Sequence, residues 1–435
     1  MQNSAHVGAE FNKVSCELGF IQQENSGFTR DSLILAAAIG LSNIFLYLYQ
    51  LTMGILLTPI EYGVLFSLNS VLAIIMFFSQ TVTTCVAKFA SKVSVNGTTG
   101  NLSYIHTYFL KKFSILGIAL FIFFVMISPF FSDFLNIDNV AYVIITFATL
   151  LVMLPLAVSQ GMLQGLERFV EFSVSRITAS FMRLAFGVSL VLIGLTLYGG
   201  LSAMFLSCFA AFLPTLFFLK YLRSGNSEPI RIENISSYLG MTIITLFSLT
   251  ILTNIDAVMA KHFFGELAAG NYSALSLMGR IAFYAPMGVC AVMFPKVARL
   301  DENGDGTKQL FIKAILLTLS ICSVILVAYR FYADSIITLL FGDKYPLLTQ
   351  YLFKYSIAMA LFSFSFLVAN YHLAKGRTII AYVLPAIALI QTILLIFFHG
   401  DVLQFVNVMI VCSSLAVILP VILLKGENTE NAVKC

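Results

Sequence analysis

Long hydrophobic runs, separated by short breaks rich in glycine, proline or charge, dominate the pattern of apolar and polar positions along the chain. About 20 apolar residues are needed for an α-helix to cross the hydrocarbon core of a bilayer. Twelve runs reach roughly that length, so the pattern predicts an all-α integral membrane protein with twelve transmembrane helices. The predicted spans are residues 32–56, 64–88, 108–128, 139–160, 172–196, 200–221, 237–260, 270–295, 309–329, 347–372, 378–398 and 402–424.

The composition supports a lipid environment for this chain. Hydrophobic residues make up 59% of the 435 residues, charged residues make up only 11%, and the mean hydropathy is +0.93. Soluble domains carry about 25% charged residues. The seven cysteines show neither metal-ligand spacing nor a disulfide framework, and no nucleotide-binding P-loop occurs. We therefore expect a lipid bilayer as partner, and neither a cofactor, a metal nor a nucleic acid.

The distribution of Lys and Arg predicts how the spans are oriented. If the N-terminus lies in the cytoplasm, all but six of the 25 Lys and Arg residues fall in cytoplasmic segments. The six others are Lys261, Arg330 and Lys344 in external segments, and Arg183, Arg280 and Lys354 within spans. Cytoplasmic loops of membrane proteins carry an excess of positive residues. The pattern predicts a multi-pass protein of the cytoplasmic (inner) membrane with both termini in the cytoplasm.

Short motifs recur between the two halves of the chain at a nearly constant spacing. The paired positions are Gly63 with Gly270, Lys88 with Lys296, and Arg168 with Arg377, at offsets of 207, 208 and 209 residues. A repeat with an even number of spans gives two halves of the same orientation, related by an axis along the membrane normal. The repeat predicts two six-helix lobes around a central cavity, an arrangement typical of transporters, although duplicated membrane proteins of other functions exist.

The repeat and the polar breaks together give a domain map. The predicted segments are a cytoplasmic N-terminal tail or interfacial helix at 1–31, an N-lobe at 32–222, a cytoplasmic linker at 223–236, a C-lobe at 237–425 and a cytoplasmic tail at 426–435.

Three charged residues lie within the predicted spans at depths where charge is costly. With a rise of 1.5 Å per residue, Arg280 and Arg183 lie ~15 Å and ~16 Å from a boundary, near the midplane of a ~30 Å core, and Asp256 lies ~7 Å below the external boundary. A charge that faces lipid near the middle of a span costs about 2.5–3.5 kcal/mol. We expect both arginines to face a protein interior and to bind substrate.

Polar residues at helical spacing extend this predicted cavity. Arg176 continues the face of Arg183, Asn43 marks a polar stripe on span 1, and Gln80 marks one on span 2. Each uncharged side chain alone is as well explained as interhelical packing. Three roles stay open for Asp256: it binds a coupling proton or Na⁺, it pairs with Arg280, or it is solvated near the external surface.

Three segments resemble a known family. They are "LTPIEYGVLFSLNSVLAIIMFFSQTVTTCVAKFASK" (57–92), "LQGLERF" (163–169) and "NIDAVMAKHFFGELAAGNYSALSLMGRIAFYAPMGVCAVMFPKVARL" (254–300). They are similar to the Wzx-like polysaccharide-biosynthesis, or O-antigen, flippases of the multidrug/oligosaccharidyl-lipid/polysaccharide exporter superfamily. The resemblance implies alternating access that moves a polyprenyl-pyrophosphate-linked saccharide, which a cationic cavity receives. It also implies that Asp256 and Arg280 stand at functional charged positions, and that glycosyltransferases or a polymerase act in the same pathway.

Two other functions are weighed against this one. A multidrug and toxin extrusion antiporter for cationic drugs would be expected to carry several intramembrane acids, and only Asp256 qualifies. A membrane-embedded saccharide polymerase or glycosyltransferase would need paired carboxylates in a large external loop. The longest predicted external loop, 330–346, holds only Asp334 and Asp343. The sequence therefore favours a transporter and not an enzyme.

Overall fold

The computed structural model describes residues 34–96, 98–223, 237–302, 306–346, 348–377 and 379–432. All regular elements in these ranges are helical, so the predicted all-α class is confirmed. The predicted N-terminal tail at 1–31 and nearly all of the predicted linker at 223–236 lie outside the described residues.

The described residues of the first half form nine helices and one π-helical turn. They are α1 Ile34–Leu56, α2 Pro59–Asn96, α3 Thr99–Met126, α4 Ser128–Phe134, α5 Val140–Ala148, α6 Leu150–Gly165, α7 Phe169–Leu190, the π-helical turn Val191–Leu195, α8 Thr196–Phe218 and α9 Lys220–Arg223.

The second half continues with ten helices in the described ranges. They are α10 Ser237–Leu252, α11 Ile255–Phe263, α12 Glu266–Gly279, α13 Ile281–Tyr284, α14 Met287–Glu302, α15 Lys308–Phe331, α16 Ala333–Phe341, α17 Leu348–Ala374, α18 Ile380–Phe397 and α19 Val402–Ala432. The last helix thus continues beyond residue 424, the predicted end of the twelfth span.

Eleven helical stretches among the described residues are long and apolar enough to cross a membrane. One of them, Phe169–Phe218, has 50 residues. A straight helix of that length would be ~75 Å long, more than twice the thickness of a ~30 Å core. The chain turns at Gly194 and Thr196, which have φ angles of 101° and 39°, and α7 packs against α8. This stretch therefore makes two crossings, and the eleven stretches account for the twelve predicted spans.

Local capping interactions set where the longest helix of the first half begins. Thr58 and Glu61 form a reciprocal pair in which the Thr58 backbone N–H donates to Glu61 Oε2 at 3.0 Å, and the Glu61 N–H donates to Thr58 Oγ1 at 3.3 Å. Pro59, whose missing N–H costs nothing at the first position of a helix, stands between them. These contacts start α2 five residues before the predicted span.

Most helix contacts fall within one half of the chain. In the first half α7 packs on α8 and α6 packs on α2 and α3, and in the second half α17 packs on α19 and α10 packs on α18. Helix α2 also packs against α10, α11 and α12 of the second half. The interior between the two halves is therefore lined by α2. The lobe boundaries at 32–222 and 237–425 stay a prediction.

Candidate functional site

A completely buried carboxylate lies in the first turn of α11, close to the interior face of α2. Asp256 is 0% exposed. Its Oδ1 accepts a hydrogen bond from Arg280 Nη2 at 3.3 Å. Its Oδ2 accepts hydrogen bonds from the hydroxyl groups of Tyr272 at 3.0 Å and Tyr355 at 2.6 Å. Both carboxylate oxygens are therefore engaged, one by an arginine and the other by two tyrosines.

The guanidinium of Arg280 lies where α12 gives way to α13 and is only 8% exposed. Besides Asp256 it contacts Asn254, to whose Oδ1 the Nη1 group donates at 3.1 Å. It also lies 5.0 Å from the centroid of the Phe66 ring on α2, a distance at which a cation is attracted to the ring face. Within the described residues, its Nε has no hydrogen-bond partner.

The tyrosine that makes the shortest bond to Asp256 depends on a glycine beside Arg280. The Tyr355 hydroxyl also shares a hydrogen bond of 2.8 Å with Ser276 Oγ. Its ring packs so closely on α12 that a Cβ at Gly279 would lie 2.2 Å from Tyr355 Cδ1, far inside van der Waals contact. Glycine at position 279 therefore allows α17 to bring this hydroxyl to the carboxylate.

The second arginine reaches the same region from α7 of the first half. The half-buried Arg183 donates from Nη2 to Asn69 Oδ1 at 2.8 Å. Its guanidinium lies 4.9 Å from the centroid of the buried Tyr49 ring, whose hydroxyl donates to the carbonyl oxygen of Gly200 at 2.8 Å. In the part of the chain that the structure describes, the Nε of Arg183 has no hydrogen-bond partner.

Helix α2 brings the two arginines to one face. Phe66, which contacts Arg280, and Asn69, which contacts Arg183, are three residues apart and so are neighbours on the helix surface. The two cationic side chains predicted from the sequence come from opposite halves of the chain and converge there. Both guanidinium groups therefore contact the same region of α2.

The other predicted site residues lie away from the Phe66 and Asn69 contacts. Arg176 is half-buried, with its guanidinium 5.8 Å from the Phe172 ring centroid. Asn43 on α1 and Gln80 on α2 are exposed. In the described ranges, no hydrogen bond joins any of these three side chains to Arg183 or Arg280. The structure thus groups Asp256 with Arg280 and leaves Arg176, Asn43 and Gln80 outside that cluster.

Several residues of the site were not selected from the sequence. Asn69 lies in the polar stripe of span 2 and Tyr272 in the motif that opens span 8, so a sequence feature could have identified each of them. Tyr355 and Asn254 had none, because a lone tyrosine or asparagine in an apolar run is usually explained by packing or interhelical hydrogen bonding. Among the described residues, no group of three or more His, Cys, Asp or Glu side chains could hold a metal ion.

Solved structures share this fold at low sequence identity. An inward-facing multidrug resistance transporter of the MATE family, in the MOP superfamily, has a TM-score of 0.73 and 14% identity over 89% of this chain and 95% of its own. A MOP-superfamily transporter from Pyrococcus furiosus, described as having a binding pocket of reversed polarity, has a TM-score of 0.66 and 15% identity over 93% and 96%. An outward-facing MATE-family transporter has a TM-score of 0.59 and 14% identity over 93% and 96%.

The family is shown by sequence over most of the chain. No curated protein matches the chain. Residues 53–350, however, match the family described as polysaccharide biosynthesis protein. This range contains both arginines, Asp256 and the repeated glycines, and it confirms the resemblance found in the sequence. Family and fold together support a flippase or transporter and not an enzyme. The chain belongs to the polysaccharide biosynthesis protein family and has the fold of the MOP-superfamily transporters.

Proposed function

We propose that the protein moves a saccharide linked to a lipid through pyrophosphate across the cytoplasmic membrane, by alternating access between its N-lobe and C-lobe. Arg183 and Arg280 receive the phosphates. The observation that carries this proposal is their convergence, from opposite halves, on the face of α2 that holds Phe66 and Asn69. Arginine presents a planar fork of donors that matches phosphate oxygens. A pyrophosphate offers two such groups, one for each guanidinium.

The unpaired donors of the two arginines support the same role. Each guanidinium is held by an asparagine and an aromatic ring, while its Nε lacks a partner among the described residues. A buried donor without an acceptor costs about 1–3 kcal/mol. A phosphate oxygen bound at this face would accept hydrogen bonds from these donors. Binding would thereby remove the cost that the unpaired donors impose on the unliganded protein.

The polar stripe of α2 supports an approach from the predicted cytoplasmic side. Asn69 is buried, but Gln80 and Thr84, farther along the same face, are exposed. They lie ~17 Å and ~23 Å from Asn69 along the helix, in the direction of the predicted cytoplasmic boundary at Lys88. A hydrated headgroup would follow this stripe, with Arg176 on α7 near its path, while the polyprenyl tail stays in the lipid. Enzymes of the same pathway, such as glycosyltransferases, would supply the substrate.

The contacts of Asp256 favour charge pairing among its three open roles. A bound Na⁺ needs oxygen lone pairs that point at the ion. Here Oδ2 accepts two hydroxyl hydrogens and Oδ1 accepts one from Arg280. We infer that Asp256 holds Arg280 in place and neutralises it during the part of the cycle without substrate. A coupling H⁺ or Na⁺ would then bind elsewhere.

The test replaces each arginine and measures saccharide display at the cell surface. Arg183→Ala should abolish display while the protein stays inserted at normal levels. Arg280→Ala also removes the ionic partner of Asp256 and so lowers stability, but display divided by the amount of protein in the membrane should still be lost. Arg183→Lys and Arg280→Lys should restore it only in part, because an ammonium supplies charge without the bidentate fork. Arg330→Ala is the matched control, since this arginine is exposed at the end of α15. Full display with both arginines replaced by alanine would refute the anion-binding site.

A multidrug antiporter is the second candidate, favoured by the TM-score of 0.73 with a multidrug resistance transporter of the MATE family. The same variants separate the two functions when drug susceptibility is measured alongside saccharide display. If the arginine variants lost drug resistance and kept display, the antiporter would replace the flippase.

A further inference from the structure

The two halves approach each other backbone to backbone at the end of the molecule that the Lys and Arg distribution predicts to be external. Gly63 near the start of α2 and Gly270 near the start of α12 are the positions paired by the sequence repeat. A Cβ at Gly63 would lie 3.1 Å from the backbone nitrogen of Gly270, and one at Gly270 would lie 2.1 Å from the carbonyl oxygen of Pro59. Repeat-related positions can touch only near the axis that relates the halves, so α2 and α12 cross at that axis.

Two polar contacts between the halves flank this crossing. Asn136 Nδ2 of the first half donates to the carbonyl oxygen of His262 at 2.9 Å. Lys344 Nζ of the second half donates to the carbonyl oxygens of Gly54 at 3.2 Å and Ile55 at 2.7 Å. His262 is in the last turn of α11, and Gly54 is in the last turn of α1. Carbonyls in the last turn of a helix have no partner within it and lie at its negative end.

The two contacts are related to each other by the internal repeat. Positions 136 and 344 are 208 residues apart, and positions 54 and 262 are also 208 residues apart. This spacing lies within the offsets of 207–209 that relate the repeated motifs. The first contact therefore maps onto the second with the donor and acceptor halves exchanged, as in the reciprocal interface of a two-fold dimer. The side chains differ, Asn136 in one half and Lys344 in the other, so the sequence motifs alone do not reveal the relation.

Neighbouring groups reinforce both contacts. Lys261 Nζ donates back to the carbonyl oxygen of Asn136 at 3.1 Å, and the His262 ring stacks on the Phe134 ring with centroids 4.2 Å apart. On the other side of the axis, the Tyr345 hydroxyl donates at 2.9 Å to a carbonyl in the last turn of α1. Each contact is thus a small cluster that joins one half to a helix end of the other.

We propose that these two reciprocal clusters form the external gate of the transporter: they hold the halves together at this end and both break when the protein opens there. The proposal rests on alternating access within the proposed function and not on the substrate carried. The higher TM-score with the inward-facing structure than with the outward-facing one, 0.73 against 0.59, agrees with closure at this end. Because a charged donor makes a stronger hydrogen bond than a neutral amide, loss of the Lys344 side chain should weaken closure more than loss of the Asn136 side chain.

The test measures how fast a buried position behind the crossing is labelled from outside. Ser67 is 0% exposed on α2 and lies one helical turn beyond Gly63. In a variant without the seven native cysteines, Ser67→Cys should react slowly with a membrane-impermeant maleimide. Lys344→Met, which keeps the length of the side chain and removes the donor, should speed labelling about tenfold. Asn136→Leu should have a smaller effect, and the double variant should exceed either single one.

The control variant and the result that would refute the gate are both measured as labelling rates, so neither requires a known substrate. Arg330→Met changes another predicted external cation, one that lies in α15 away from the crossing, and should leave the labelling rate unchanged. Protein level in the membrane and a single symmetric peak in detergent chromatography check that each variant folds. Labelling of the double variant at the parent rate would overturn the gate, whatever the outcome of the saccharide display experiment.

Discussion

The buried pair of Asp256 and Arg280 gives the sharpest quantitative prediction. The perturbation is a cycle of Asp256→Asn, Arg280→Gln and the double variant. Removing one partner of a buried ion pair costs about 3–5 kcal/mol, because the other charge is left uncompensated. Here each remaining group keeps neutral partners, Asn254 for the arginine and the two tyrosine hydroxyls for the carboxylate. We therefore expect each single variant to lose ~3 kcal/mol of unfolding free energy, the low end of that range.

The double variant should lose much less than the sum of the two single losses. With both charges gone, no uncompensated charge is left, and two amides of similar shape occupy the same space. We expect a loss of about 3 kcal/mol or less, so the coupling free energy between the two sites is ~3 kcal/mol, at the upper end for residues in contact. The measurement is reversible unfolding in mixed detergent micelles, with the unfolding free energy determined for all four proteins.

A second cycle provides the control. Arg183 is hydrogen-bonded to Asn69 and makes no described contact with Asp256, so Asp256→Asn combined with Arg183→Gln should be additive within about 0.5 kcal/mol. Additive losses in the Asp256 and Arg280 cycle as well would mean that the two groups do not neutralise each other. The role assigned to Asp256 would then be wrong.

Two further predictions concern packing and topology. Gly279→Ala places a methyl group 2.2 Å from the Tyr355 ring and should lower the unfolding free energy by about 1–3 kcal/mol and weaken transport. Gly288→Ala is the control and should be neutral, because nothing lies within 4 Å of its Cβ. Equal thermal stability of the two variants in detergent would contradict the packing argument. Reporter fusions at Asn96 and Asp305 should report from the cytoplasm and those at Ser132 and Gly342 from outside, and fusions at Asn96 and Asp305 that reported from opposite sides would refute the repeat and the orientation together.

The number of spans could be predicted because the thickness of the hydrocarbon core fixes the length of apolar sequence that each span needs. The ends of the helices could not be predicted from hydropathy, since local capping in the polar region determines them. The pair of Thr58 and Glu61 starts α2 well before its apolar run, and nothing in hydropathy marks that position. The turn between spans 5 and 6, in contrast, was predicted closely: the predicted spans end at 196 and begin at 200, and the chain reverses through the positive φ angles of Gly194 and Thr196 within one apolar stretch.

The arginines of the site could be predicted because a charge at the midplane is costly unless it faces a protein interior. Their partners could not, since partner choice depends on how helices distant in sequence pack. Tyr355 is 99 residues from Asp256 and meets it only because Gly279 admits its ring. Similarly, the repeat identifies Gly63 and Gly270 as equivalent positions, but their spacing in the sequence does not show that they are in contact.

The short distance along the chain between Asp256 and Arg280 has a consequence for how the protein enters the membrane. The two residues are 24 positions apart, on consecutive helices joined by the break at Phe264 and Gly265. The segment from α10 to α13 can therefore form a hairpin in which the two charges neutralise each other before any later helix has been synthesised. Arg280 alone, near the midplane, would oppose insertion by about 2.5–3.5 kcal/mol, whereas the paired hairpin enters the bilayer without that net charge. In the hairpin of α7 and α8, the acid Glu171 is already paired with Arg168, and the partner of Arg183, Asn69, precedes it by 114 residues. The insertion of Arg183 therefore depends on helices that are already in the membrane. The order in which the helices are synthesised thus affects how the cationic face forms.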